Sequence, residues 1–230
     1  KHGFRATFMP KPVEGLTGNG CHAHISVWDA PGSKAKTNVF ATTPSTDSQT
    51  SELGLSEKGR HFLGGIMKHA SAFAAITNPT VNSYKRINAP RTMSGATWAP
   101  NSVTWTGNNR THMVRVPGPG RFELRLADGA TNPYLLQAVI IAAGLSGVKS
   151  EADPGKRYDI DMYAQGHTVR GAPKLPLNML DALRAYDKDK GLKEAMGKEF
   201  SEAYLKLKME EWNSFVSHFS SWEKENTLDI

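Results

Sequence analysis

Apolar and charged positions alternate strictly through residues 121–126. Phe122, Leu124 and Leu126 fall on one side of an extended chain, and Arg121, Glu123 and Arg125 on the other. That period of two predicts a strand with an apolar face on a core and an Arg-Glu-Arg face for another purpose. The same alternation sets His22, His24 and Ser26 opposite Cys21, Ala23, Ile25 and Val27. Further strands are expected in "RATFMPKP", "SVTW" and "HMVRV".

Helical spacing takes over at "EKGRHFLGGIMKHASAFAAIT", where Phe62, Leu63, Ile66, Met67, Ala70, Phe73 and Ala74 share a face. Ser56 is placed to cap its start, and Asn78-Pro79 to end it. Asn132 followed by Pro133 predicts a second helix start. The run "YLLQAVIIAAGLSGV" is apolar on nearly all sides and predicts a buried helix. Two more helices are expected near 176–188 and 191–218. Residues 30–51, rich in Ser, Thr, Pro and Asp, predict an exposed excursion, and residues 80–120 a long loop region with short strands. Strands divided by loops, with helices clustered late, predict an α+β fold.

Composition changes this picture little. An apolar content of 39% over 230 residues suffices for one large domain with a real core. Cys21 is the only cysteine, which excludes an intramolecular disulfide and makes a cytoplasmic protein the expectation. The longest apolar run, Tyr134–Leu145, contains Gln137 and is too short to cross a bilayer. The first residues show charges with no apolar stretch behind them, so no secretory leader and no membrane partner are expected.

Charge distribution says more than the net +6. Between Glu57 and Glu123 there is no carboxylate, while nine Lys and Arg residues fall in the interval. Such a segment suits an anion: nucleic acid, nucleotide phosphate or substrate carboxylate. The His22/His24 pair can bind a metal or a phosphate, or simply be hydrogen-bonded on a half-exposed strand. Glu123 between arginines is either part of a structural ion-pair ladder or a metal ligand whose arginines bind the anion the metal touches. Arg86, Arg110 and Arg115 bring the arginines in or beside loops to five. Arginine is the bidentate clamp for carboxylates and phosphates. "GLTGNG" lets a ligand approach the backbone closely but has no phosphate-loop or dinucleotide pattern.

Taken together, "FMPKP", "GNGCHAHISVW", "NPTVNSYKR", "NNRTHMVRVPGPGRFELRLAD" and "NPYLLQAVIIAAGLSGV" resemble the C-terminal part of the glutamine synthetase catalytic domain, in that family's order, over about residues 5–150. The tail "KLKMEEWNSFVSHFSSWE" is similar to the family's terminal helices. The resemblance implies a curved, largely antiparallel sheet backed by helices. It also implies an ATP-dependent ligase that joins the γ-carboxylate of L-glutamate to a small amine through γ-glutamyl phosphate. Mg2+ or Mn2+ is the implied metal at two sites, with Glu123 as a ligand of one ion and His22 of the other. His24, Ser26, Arg115 and Arg121 match nucleotide-binding positions, and Gly18 and Arg86 match substrate-binding ones. Arg110 and Arg125 match positions near the transferred phosphoryl group and the γ-carboxylate. A homo-oligomer of stacked hexameric rings with shared sites is implied, and no nucleic-acid partner.

Two departures from the family pattern carry expectations of their own. The segment after Arg86 is longer than the family's usual flap and lacks its acid, and the loop from Arg115 to Arg121 is short. With Trp98 and Trp105 able to line an apolar pocket, this points to the γ-glutamylmethylamide synthetase and type III branch, with methylamine favoured over ammonia. The N-terminal domain and the first part of the catalytic domain, with its further metal-binding glutamates, are expected to be absent, which would leave these 230 residues inactive alone. Competing readings are a guanidino-phosphotransferase, a nucleic-acid-binding module and a non-catalytic fragment of the ligase fold. The first would require a reactive cysteine, and Cys21 faces away from the histidines.

Overall fold

The computed structural model describes residues 2–29, 36–42, 52–89 and 99–229. Among them a four-stranded sheet forms from β1 (Ala23–Ile25), β2 (Trp105–Thr106), β3 (Val114–Gly118) and β4 (Arg121–Leu124), in the order β1-β4-β3-β2. β4 pairs antiparallel with both β1 and β3, whereas β2 runs parallel to β3. The architecture is α+β, as its strand and helix patterns predict, with one parallel pair in a sheet expected to be largely antiparallel.

Helix α1 (Glu57–Thr77) lies behind the sheet. Ser56 caps it by accepting from the Gly59 amide, its own hydroxyl donating to the Val39 carbonyl, and Asn78 closes it just before Pro79. Phe122, Leu124 and Leu126 are fully buried, so the apolar face of the alternation is the core face. Phe122 stacks on Phe40 with ring centroids 5.7 Å apart, and Phe62 meets Phe40 at 5.0 Å. Phe40 falls inside the stretch expected to be an exposed excursion. An aromatic with core partners outweighs its polar neighbours, since each such ring contributes roughly 1.5–3 kcal/mol on burial. Most of that stretch, like Trp98 and the middle of the acid-free segment, lies outside the described residues.

Helix α2 (Ser83–Ile87) follows α1, and α3 (Pro133–Lys149) begins at Asn132, whose side chain accepts from the Tyr134 and Leu135 amides. The all-round burial expected of α3 is not observed. Leu136, Val139, Ile140 and Ala143 face the core, but Tyr134, Ile141 and Leu145 are exposed. After the single turn α4 (Met162–Gln165) come α5 (Met179–Lys188), α6 (Lys190–Met196), α7 (Lys198–Val216) and α8 (Ser221–Thr227). The single helix expected over 191–218 is broken at Gly197, whose φ of +94° a helix cannot continue.

The opening stretch, expected as a strand, joins no ladder among the described residues. Its two prolines cannot donate. It is held instead by Asn82, which pairs with both backbone groups of Lys11, and by the Asn19 amide on the Pro10 carbonyl.

Candidate functional site

Sheet register places the charged side chains. His24 lies opposite Glu123 across the β1–β4 pair, and Arg115 opposite Glu123 across β3–β4. Just beyond the end of the first ladder, the His22 and Arg125 side chains meet. Because β-strand side chains alternate, all five rise from one face of the sheet.

Glu123 is the centre, only 3% exposed. Its Oε1 accepts from Arg125 Nη1 at 2.9 Å and its Oε2 from Arg115 Nη1 at 2.9 Å. His22 Nδ1 lies 3.1 Å from Oε1, and His24 Nε2 lies 3.9 Å from it. Burial pushes the Glu123 carboxyl up, but the Arg115 hydrogen bond, Arg125 and His22 together outweigh it and hold the group below its ordinary value. Burial and the adjacent Arg125 lower His22 to about 4, against the pull of Glu123, so its ring is neutral near pH 7 and Nδ1 can accept from Arg125 Nη1 at 3.2 Å.

Arg121, expected to share this face with Glu123 and Arg125, lies at the exposed start of β4, and no ion pair joins it to Glu123 among the described residues. A register shift between Arg115 and Gly118 pairs Arg121 with Gly118, and its side chain is exposed. Its place beside Glu123 is taken by Arg115 from the neighbouring strand, which also donates to Asn108 Oδ1 through Nε at 2.8 Å. Arg110 is exposed in the turn before β3. Ser26 accepts from Trp28 Nε1 at 3.1 Å at the exposed end of β1. Trp105 is buried, 1% exposed, with Nε1 donating to the Gly155 carbonyl. Its exposed edge is too small to wall an amine pocket among the described residues, and Trp98 lies outside them.

Arg86 forms the adjoining wall. It is 4% exposed, and its Nη1 donates to the Leu126 carbonyl at 2.8 Å. Its stem runs past Gly18, where a Cβ would meet Arg86 Cγ at 3.0 Å and the Pro10 carbonyl oxygen at 2.4 Å. Its guanidinium ends beside Gly20, where a Cβ would lie 2.7 Å from Nη2 and 3.1 Å from His22 Nε2. "GLTGNG" therefore brings backbone, Arg86 and His22 together by having no side chains in the way. Sequence reading missed Asp128 and Asn78 behind this wall. Asn78 donates to Asp128 and to the Leu126 carbonyl that also receives Arg86. Burial raises the Asp128 carboxyl, although hydrogen bonds from Ser83, Ala130 and Asn78 oppose it. The only sequence signal was Asn78-Pro79, which also serves as a helix stop.

A divalent ion needs more donors than this geometry brings together. His22 and Glu123 stand side by side, yet both carboxylate oxygens accept from arginine. Among the described residues, no three His, Cys, Asp or Glu side chains come together to hold a metal. The described residues do not by themselves fit such an ion. What they do offer is a strongly cationic face around one buried carboxylate, suited to binding anionic groups.

Comparison with known proteins agrees with the motifs. Residues 1–227 match the family model described as glutamine synthetase, catalytic domain. The chain is 73% identical, over its whole length, to a glutamine synthetase of Rhizobium meliloti, covering 51% of that protein. It is 41% identical to a glutamate–methylamine ligase of Methyloversatilis universalis, with 99% of this chain and 50% of that protein aligned. A solved structure of a GmaS/ADP complex superposes with a TM-score of 0.89 at 54% identity, over 100% of this chain and 50% of that one. The chain thus spans about half the length of the relatives it matches. No helix among the described residues is long and apolar enough to cross a membrane.

Proposed function

The chain belongs to the glutamine synthetase family, and from that premise we propose that its protein is an ATP-dependent ligase forming a γ-glutamyl amide from L-glutamate and a small amine, methylamine before ammonia. The observation that carries the ligase reading is the cationic face around Glu123. Joining a phosphoryl group to a carboxylate brings two anions together, and fixed arginines offset their repulsion without reorganising.

Each residue has a part in this reading. Arg86, immobilised on the Leu126 carbonyl beside the bare backbone of Gly18 and Gly20, receives the α-carboxylate of glutamate. Arg125 faces the γ-carboxylate, and Arg110 approaches the transferring phosphoryl group. His24, Ser26, Arg115 and Arg121 run along the nucleotide. His22, held neutral, and Glu123 offer two donors towards Mg2+ or Mn2+, the remaining donors coming from outside these residues. The γ-carboxylate takes the phosphoryl group from ATP, releasing ADP. The amine nitrogen then attacks the acyl phosphate, and phosphate leaves.

Methylamine is favoured because the segment after Arg86 departs from the family's usual acid-bearing flap, no carboxylate falling between Glu57 and Glu123. The likeness to the methylamine ligase and to GmaS supports it. Ammonia is the second reading, favoured by the 73% identical glutamine synthetase. The test is glutamate-dependent ADP release by the intact protein with Mg2+, comparing methylamine with ammonium. A kcat/KM at least tenfold higher for methylamine is expected. A preference for ammonium would overturn the amine assignment, and no release with either amine would overturn the ligase reading.

A further inference from the structure

On the far side of α1, three side chains outside the cationic face form a relay. His69 Nδ1 lies 2.5 Å from Asp189 Oδ2, and His69 Nε2 lies 3.1 Å from Ser146 Oγ. The three residues come from α1, the α5–α6 junction and α3. Close approach of the two long helices makes the meeting possible. Gly65 and Gly147 face each other where they cross, and a Cβ on Gly65 would lie 2.1 Å from the Ala143 carbonyl oxygen. One turn beyond this contact, His69 reaches Ser146.

Asp189 is doubly committed. Its Oδ1 accepts from the Leu192 amide at 3.0 Å, fixing the carboxylate as the cap of α6. Burial pushes its carboxyl up, but the His69 and Leu192 hydrogen bonds outweigh this and hold it below its ordinary value, so Asp189 is an acceptor near pH 7. With Asp189 accepting, the His69 tautomer that donates from Nδ1 leaves Nε2 a lone pair and makes Ser146 the donor. His69 is buried, whereas Ser146 is part-exposed and lines a groove of about 680 Å3 between α3 and α6, with Ala138, Ile141, Leu145, Lys149 and Gly191 around it. A purely structural joint needs the same hydrogen bonds. It does not need the serine at the groove wall.

We propose that Ser146 is an activated nucleophile, with His69 as its base and Asp189 as the positioning residue, open to acyl transfer from small esters that enter this groove. Ser146 Oγ attacks the ester carbonyl carbon while its proton passes to His69 Nε2. The bond from that carbon to the leaving alkoxy oxygen breaks, and the departing alcohol takes the proton from His69. Water then hydrolyses the acyl-serine to a carboxylate and restores the hydroxyl.

The intact protein is incubated with p-nitrophenyl acetate, nitrophenolate release is followed, and the adduct is located by peptide mass. Expected are acetylation at Ser146 and its loss in Ser146→Ala, with the unfolding transition unchanged. His69→Gln should slow release by about 100-fold or more. Asp189→Asn, whose amide oxygen can still cap Leu192, should slow it by about tenfold. Wild-type protein without an adduct at Ser146, acetylation only at Cys21 or lysines, or equal release by folded Ser146→Ala would each overturn the proposal.

Discussion

Glu123 shows how one side chain can organise a site and stabilise it. Its carboxylate is nearly sequestered from water between Arg115 and Arg125, and removing it would take the shared carboxylate from one buried and one part-buried guanidinium group. Breaking a buried pair on one side costs about 3 kcal/mol, so Glu123→Ala should lower the urea midpoint accordingly. A change under about 1 kcal/mol would mean that the arginines find water readily. The sign of the pH dependence follows from the depressed carboxyl. Its contribution is present above the unfolded value near 4.5 and is lost as pH falls through the lower folded value. The stability gap between wild type and Glu123→Gln should therefore close in acid and stay constant from pH 6 to 8. Alternation alone identified Glu123 and Arg125 as neighbours on one face. It could not name Arg115 as the third partner, because a period of two along one strand does not say which residue of the neighbouring strand lies opposite.

At the scale of elements, the crossing of α1 and α3 is decided by glycines rather than by the large apolar residues that marked the helices in the sequence. Gly144 lies against the Phe62 ring, where a Cβ would fall 2.0 Å from Cζ, and Gly65 against the Ala143 carbonyl. Alanine in a helix interior gains about 1 kcal/mol over glycine from propensity, yet overpacking at such a contact costs about 1–3 kcal/mol. Gly65→Ala should lower the thermal midpoint by several degrees despite its better propensity. A higher midpoint would show that the helices part without cost. The ends of α1 and α3 were legible because Ser56, Asn78, Asn132 and Pro133 act locally on adjacent amides. The amount of α3 that is buried was not, since Ile141 and Leu145 read as core residues whichever way they point. Gly197 likewise gave no sign that it would adopt a positive φ and divide α6 from α7.

For the whole molecule, the decisive fact is that the chain spans about half of each relative it matches. Its described residues form a cationic face around Glu123 but do not bring three metal donors together. These 230 residues alone should therefore show no glutamate-dependent ADP release under conditions where the intact protein does. Release by the chain alone would mean that His22 and Glu123 need no further donors. The amino-acid sequence by itself determined the α+β class, both alternating strands, the caps of the long helices, the carboxylate-free basic stretch and the family. All of these depend on interactions within a few residues or on pattern read along the chain. Only the tertiary structure decided that Arg115 would face Glu123, that Arg86 would reach His22 past Gly18 and Gly20, and that Ser146, His69 and Asp189 would meet. A period of two or of 3.6 fixes which face a side chain takes, whereas its partner is set by strand register and by how closely two helices approach.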